Sequence, residues 1–153
     1  MKILMVCLGN ICRSPLAHGL LREKSAVKSL NFEVDSAGTS GFHAGEAPDP
    51  RMRETAKRFG LNIDDLKSRQ FVSSDFNEFD LIYAMDKSNY SNIIALASSD
   101  SDKAKVKLIL NESNPGSDLE VPDPYYGGDQ GFLDVYNMLD LATDKIIEQY
   151  SNE

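Results

Sequence analysis

Apolar residues recur along this chain with two different periods. Four short stretches read as strands: residues 3–6 (Ile-Leu-Met-Val), 32–36, 81–85 and 106–109. Two of them, 3–6 and 81–85, are apolar without a break, as in strands covered on both faces. Between them the spacing predicts helices. Residues 15–30 carry Leu16, Ala17, Leu20 and Leu21 with Arg22, Glu23 and Lys24 beside them. Residues 50–59 open on Asp49-Pro50 and stop before Gly60. Residues 88–97 form a third, and 133–150 repeat apolar positions at Val135, Met138, Leu139, Leu141, Ala142 and Ile146. Alternating strands and helices predict an α/β fold: one four-stranded parallel sheet flanked by helices on both faces. No repeat or long linker divides the chain, so residues 1–153 read as a single domain.

Composition narrows the function classes. A hydrophobic content of 41% is enough for a packed core. The net charge of −8 argues against nucleic-acid or anionic-membrane partners, which call for a basic footprint. Any anion must then be held by a local site against the overall field. No apolar run approaches a membrane span or a signal-peptide core. The two cysteines make no disulfide framework, and a reducing cytoplasm is the expected compartment, export by a signal-free route being the alternative. His18 and His43 read as helix-surface and loop residues, with no cluster at metal-ligand spacing and no cofactor implied.

Both cysteines fall in CLGNICRSP, residues 7–15, between the first strand and the first helix. In a parallel sheet, ligands bind beyond the carboxyl ends of strands where the winding switches direction. Ser14-Pro15 reads as a helix start, with serine as cap and proline first in the helix. Backbone N–H groups in such a loop converge on one point and add to the helix dipole, which suits a tetrahedral oxyanion. Arg13 offers a planar fork to two anion oxygens. The same field favours the thiolate of Cys7. Ser14 is placed either to donate to that sulfur or to cap the helix. Gly9 and Asn10 tolerate the left-handed backbone a tight loop requires.

The pattern resembles the phosphate-binding loop of the low-molecular-weight protein tyrosine phosphatases, a Cys-x5-Arg-Ser. The resemblance continues through SAGTSGFHAGEAPDPR at 36–51, YAMD at 83–86 and VPDPYYG at 121–127. It implies that Cys7 is a nucleophile forming a phosphocysteine. Residues Leu8, Gly9, Asn10, Ile11, Cys12, Arg13 and Ser14 would cradle the phosphoryl group, with Asp123 as general acid and then base. It implies that Asn10 shapes the loop with Ser36 as hydrogen-bond partner, that Asp86 and Asp49 are structural, and that Asp49 caps a helix. Tyr125 and Tyr126 would wall a slot for a phenyl ring, Leu8 and Phe42 lying at its mouth; Phe42 stands where the family often has Trp or Tyr. Cys12 would protect Cys7 from overoxidation by forming a disulfide with it. The partners implied are phosphotyrosine-containing proteins, for a monomer or weak dimer. Two rivals remain. An arsenate reductase of the same fold would need resolving cysteines outside the loop, and this chain has none. A non-catalytic phosphotyrosine-binding module would not need nucleophile, arginine, serine and acid together.

Overall fold

A computed structural model describes residues 1–151, except for the side chain of Tyr126. The expectation for that side chain, and residues 152–153 of the expected domain, lie outside the described residues. The sheet holds β1 (Lys2–Cys7), β2 (Glu33–Gly38), β3 (Leu81–Ala84) and β4 (Val106–Leu108), all parallel, in the order β2-β1-β3-β4. The first strand is thus interior, with its successors on opposite sides. The winding switches direction at the carboxyl end of β1.

Alternation along β1 divides the core. Ile3, Met5 and Cys7 face the layer formed by α1 (Arg13–Val27), α2 (Pro50–Arg58) and α7 (Gly128–Tyr150), joined by Leu16, Leu20, Met52, Phe132 and Leu139. Leu4 and Val6 face the other layer, where Phe71, Phe76 and Ile93 come from around α3 (Asp75–Glu78) and α4 (Lys87–Ile94). The unbroken apolar run of β1 is buried on both faces, as its composition predicts. Two short helices, α5 (Asp100–Ala104) and α6 (Leu110–Ser113), bracket β4.

Several boundaries differ from the sequence reading. Helix α1 begins at Arg13, so Cys12 occupies the cap position and Ser14 and Pro15 lie inside the first turn. Ser14 is therefore released from capping. The amino-terminal half of α1 is buried almost without interruption from Arg13 to Leu21, because it sits between the sheet and α7. His18 is part of that buried stretch and not a surface residue: it is 7% exposed, with Nδ1 3.0 Å from Ser36 Oγ. Strand β2 runs on to Gly38, where it pairs with Cys7. A Cβ at Gly38 would stand 2.8 Å from the Leu8 carbonyl oxygen and 2.9 Å from that of Ser40, so a glycine is needed there. Among the described residues no helix is long and apolar enough to cross a membrane.

Candidate active site

Strand β1 ends at Cys7, and the chain turns through residues 8–12 into the positive end of α1. The turn depends on Asn10, whose φ of 56° lies in the left-handed region that Asn tolerates better than most side chains. Asn10 Nδ2 donates to Ser14 Oγ at 2.7 Å, and its Oδ1 accepts from the N–H of Arg69 at 3.1 Å. Asn10 thus braces the loop through Ser14 and Arg69, not through Ser36, which is taken by His18. Gly9 does not adopt a left-handed conformation; it is small because a Cβ there would approach His43 Cδ2 to 3.0 Å. The Ser68 hydroxyl donates to the Gly9 carbonyl at 3.0 Å and holds the outer side of the turn.

Since Ser14 Oγ already accepts from Asn10, its own proton has two acceptors in reach. These are Cys7 Sγ at 3.0 Å and the Ala37 carbonyl at 3.4 Å. The N–H of Asn10 reaches the same sulfur at 3.3 Å. The Asn10 N–H thus donates to Cys7, and the Ser14 hydroxyl lies within hydrogen-bond distance of the same sulfur. Of the two roles open to Ser14, the structure assigns it the sulfur.

Arg13 is fixed from below. Its side chain is 4% exposed, and Nη1 donates to Asp86 Oδ2 at 2.7 Å and to the Val121 carbonyl at 3.0 Å. Burial works against its charge, but Cys7 and Asp86 outweigh that and hold the guanidinium above its ordinary range. Asp86 also caps α4 by accepting from the N–H of Asn89 at 2.7 Å. The structural part expected of Asp86 is thus a double one, and its tie to Arg13 across 73 residues has no local signature.

Above the loop lies a cavity of about 350 Å³. Cys7, Leu8, Gly9, Ile11, Cys12 and Arg13 line its floor and near wall; Phe42, Asp123 and Tyr125 complete it. Asn10 and Ser14 stand behind this lining and hold it. Ser40 and His43 also border the cavity. From the sequence, His43 reads only as a loop residue and Ser40 carries no role, although both lie in the block 36–51. His43 pairs with Glu46 through Nδ1 and meets the Phe42 ring edge-on at 4.9 Å. Phe42 itself is 87% exposed, at the mouth. Asp123 caps a 3₁₀ turn, Pro124–Tyr126, by accepting from the N–H of Tyr125 at 3.0 Å. Both cysteines are free and buried. Burial, with Asp49, Cys7 and Asp123 adding to it, pushes the Cys12 thiol far above its ordinary range, so Cys12 rests as a neutral packed thiol. Among the described residues no three His, Cys, Asp or Glu side chains gather as a metal-binding group.

The family model for low molecular weight phosphotyrosine protein phosphatases matches residues 2–153. The chain belongs to that family. A relative of this name from Schizosaccharomyces pombe is 44% identical over 90% of this chain and 89% of its own. The human relative is 40% identical over 88% and 86%. A solved protein tyrosine phosphatase from Entamoeba histolytica, with Hepes in its active site, superposes with a TM-score of 0.93 at 40% identity, covering 99% and 97% of the two chains. The Drosophila arginine phosphatase superposes at 0.90 with 31% identity over 98% of each chain. Family membership therefore carries the phosphatase loop and fold, while the lining of the cavity decides what fits into it.

Proposed function

We propose that this phosphatase hydrolyses phosphotyrosine on protein substrates through a phosphocysteine intermediate, with the protein's own groups carrying both steps. The observation that carries this reading is the convergence of Cys7, Arg13 and Asp123 on one cavity whose remaining walls are largely apolar. Arg13 and the loop amides bind the phosphoryl oxygens, and the transferring group is positioned for in-line attack. Cys7 Sγ bonds to phosphorus as the P–O bond to the tyrosyl oxygen breaks. Asp123 gives its proton to that oxygen, because a phenolate with a conjugate acid near ~10 leaves poorly at neutral pH. In the second step Asp123 takes a proton from water, the water oxygen bonds to phosphorus, and Cys7 departs as thiolate with Ser14 and the Asn10 N–H donating to it.

Leu8, Ile11, Phe42 and Tyr125 offer a flat ring apolar and aromatic surface. A phosphoserine is too short to bring its backbone clear of that wall. A phosphoarginine would leave its guanidinium N–H groups facing mostly apolar side chains. The test is turnover of matched phosphotyrosine, phosphoserine and phosphoarginine peptides in the presence of a chelator. Phosphotyrosine is expected to dominate, Cys7→Ser to be inactive, and Asp123→Asn to be strongly impaired. Activity surviving Cys7→Ser, or a preference for phosphoarginine, would overturn the reading.

The same reading gives the chain a cytoplasmic setting, as a monomer or weak dimer, with a redox-sensitive Cys7. Peroxide would convert the Cys7 thiolate to a sulfenic acid, and Cys12 would close a disulfide with release of water. Since Cys12 rests protonated, it must first surrender its proton. Mass spectrometry after peroxide is expected to find the Cys7–Cys12 bridge; sulfonic acid at Cys7 without it would refute this.

A further inference from the structure

We infer that Arg51 is a positioning residue for the general acid: it ties the Asp123 turn to the Cys7 loop and so sets the distance between acid and nucleophile. The inference rests on the reading of Asp123 as acid and deepens it. The tie can be followed bond by bond. The N–H of Asp49 donates to the carbonyl of Ile11, inside the phosphate loop, at 2.8 Å. The Asp49 carboxylate is gripped at both oxygens by Arg51, Nε to Oδ1 at 3.2 Å and Nη2 to Oδ2 at 3.1 Å. The remaining nitrogen, Nη1, donates to the carbonyl of Tyr125 at 3.2 Å. Tyr125 in turn donates its N–H to the Asp123 carboxylate.

Ring contacts reinforce the bonds. The Arg51 guanidinium carbon lies 5.0 Å from the centre of the Tyr125 ring and 4.8 Å from that of Phe132 on α7. One planar cation thus joins α2, the acid turn and α7. The Asp123 turn has two upstream anchors at Val121, its N–H on the Met85 carbonyl at 2.9 Å and its carbonyl on Arg13 Nη1 at 3.0 Å. They fix where the segment starts. The Ile11–Asp49–Arg51–Tyr125 path holds the other side of Asp123, where the turn leads into α7. Proton delivery demands hydrogen-bond reach, so a small displacement of the turn is felt in that step above all. A lysine has the charge but not the fork, and cannot hold both Asp49 oxygens and the Tyr125 carbonyl together.

The experiment compares kcat/KM for p-nitrophenyl phosphate, whose leaving group needs little help, with phenyl phosphate, whose leaving group needs a proton. Arg51→Gln is expected to lose about 10-fold on phenyl phosphate and several times less on p-nitrophenyl phosphate. Arg51→Lys should fall between Arg51→Gln and the parent. Adding Arg51→Gln to Asp123→Asn should cost no more than about 2-fold beyond Asp123→Asn alone, since both act through one proton. Thermal melts of each variant establish that it is folded. Equal losses on the two substrates, or losses that multiply in the double variant, would overturn the proposal while leaving the mechanism standing. If Asp123→Asn itself shows no preference between the substrates, or Cys7→Ser turns over, the reading of the acid fails first and the proposal with it.

Discussion

Arg13 and Asp86 meet at 2.7 Å, with the guanidinium almost fully buried and the carboxylate serving also as the cap of α4. One carboxylate therefore neutralises the buried guanidinium and caps the helix that follows β3. Asp86→Ala is expected to lower unfolding stability by about 3–5 kcal/mol, because it leaves a buried charge unpaired. It should also weaken inhibition by inorganic phosphate. Asp86→Asn, which keeps an acceptor for the cap, should retain more of the stability than of the phosphate affinity. Urea unfolding and phosphate inhibition of the two variants measure this; equal retention of both properties would contradict it.

In the proposed mechanism the Ser14 hydroxyl, 3.0 Å from Cys7 Sγ, acts on the sulfur when it must leave phosphorus as well as when it attacks. Ser14→Ala is expected to slow turnover by about 10²-fold, the scale on which a single well-placed donor acts. The slowdown should fall mainly on breakdown of the phosphocysteine. Rapid-quench measurement should then show a burst of phenol and accumulated phosphoenzyme. A variant that is slow without a burst would count against the assignment.

His18 makes stability depend on pH. Burial pushes its imidazole down from 6.5 to about 4 in the folded protein. The folded value lies below the unfolded one, so the unfolded chain takes up a proton first. Stability is then complete above about pH 6.5 and is lost as pH falls towards 4, by roughly 3 kcal/mol in all. Urea midpoints measured from pH 7.5 to 4.5 should drop more steeply in the parent than in His18→Gln. Parallel curves would show that other groups carry the acid sensitivity.

Gly38 is where β2 passes closest to the nucleophile loop. Gly38→Ala places a methyl group against the carbonyls of Leu8 and Ser40, and neither is a flexible side chain that can swing away. We expect a loss of about 1–3 kcal/mol, with reduced phosphate binding as Leu8 is displaced. Undiminished stability and phosphate affinity would mean that the loop relaxes without cost.

Much of this was legible from residue patterns. The strands and long helices announced themselves by period, because each has enough turns or alternations to show one. Helices α3, α5 and α6 did not, being only four or five residues long. That Cys7, Arg13 and Asp123 come together at one cavity, with Ser14 beside the sulfur, was legible because they belong to a short motif and to an ordered set of blocks. Their supports were not. The Arg13–Asp86 pair, the Asn10–Arg69 bond and the Arg51–Tyr125 bond join residues 59 or more apart, and each depends on side-chain directions that only packing decides. His18 was misread because helix α1 is covered on nearly all sides at that end, so the polar face its sequence suggests does not face water.

The interior place of β1 also bears on how the molecule comes into being. The strand that ends in Cys7 is synthesised before both strands it pairs with, and the second of them arrives only with residues 81–84. Asp86, the counter-ion of Arg13, follows that neighbour, and Asp123 lies further on. A nascent chain therefore carries Cys7 through much of translation before Asp86 and Asp123 are available. Long-range parallel pairing of this kind is slow to close. On the mechanism proposed above, a chain that stops short of residue 123 bears the nucleophile without its acid.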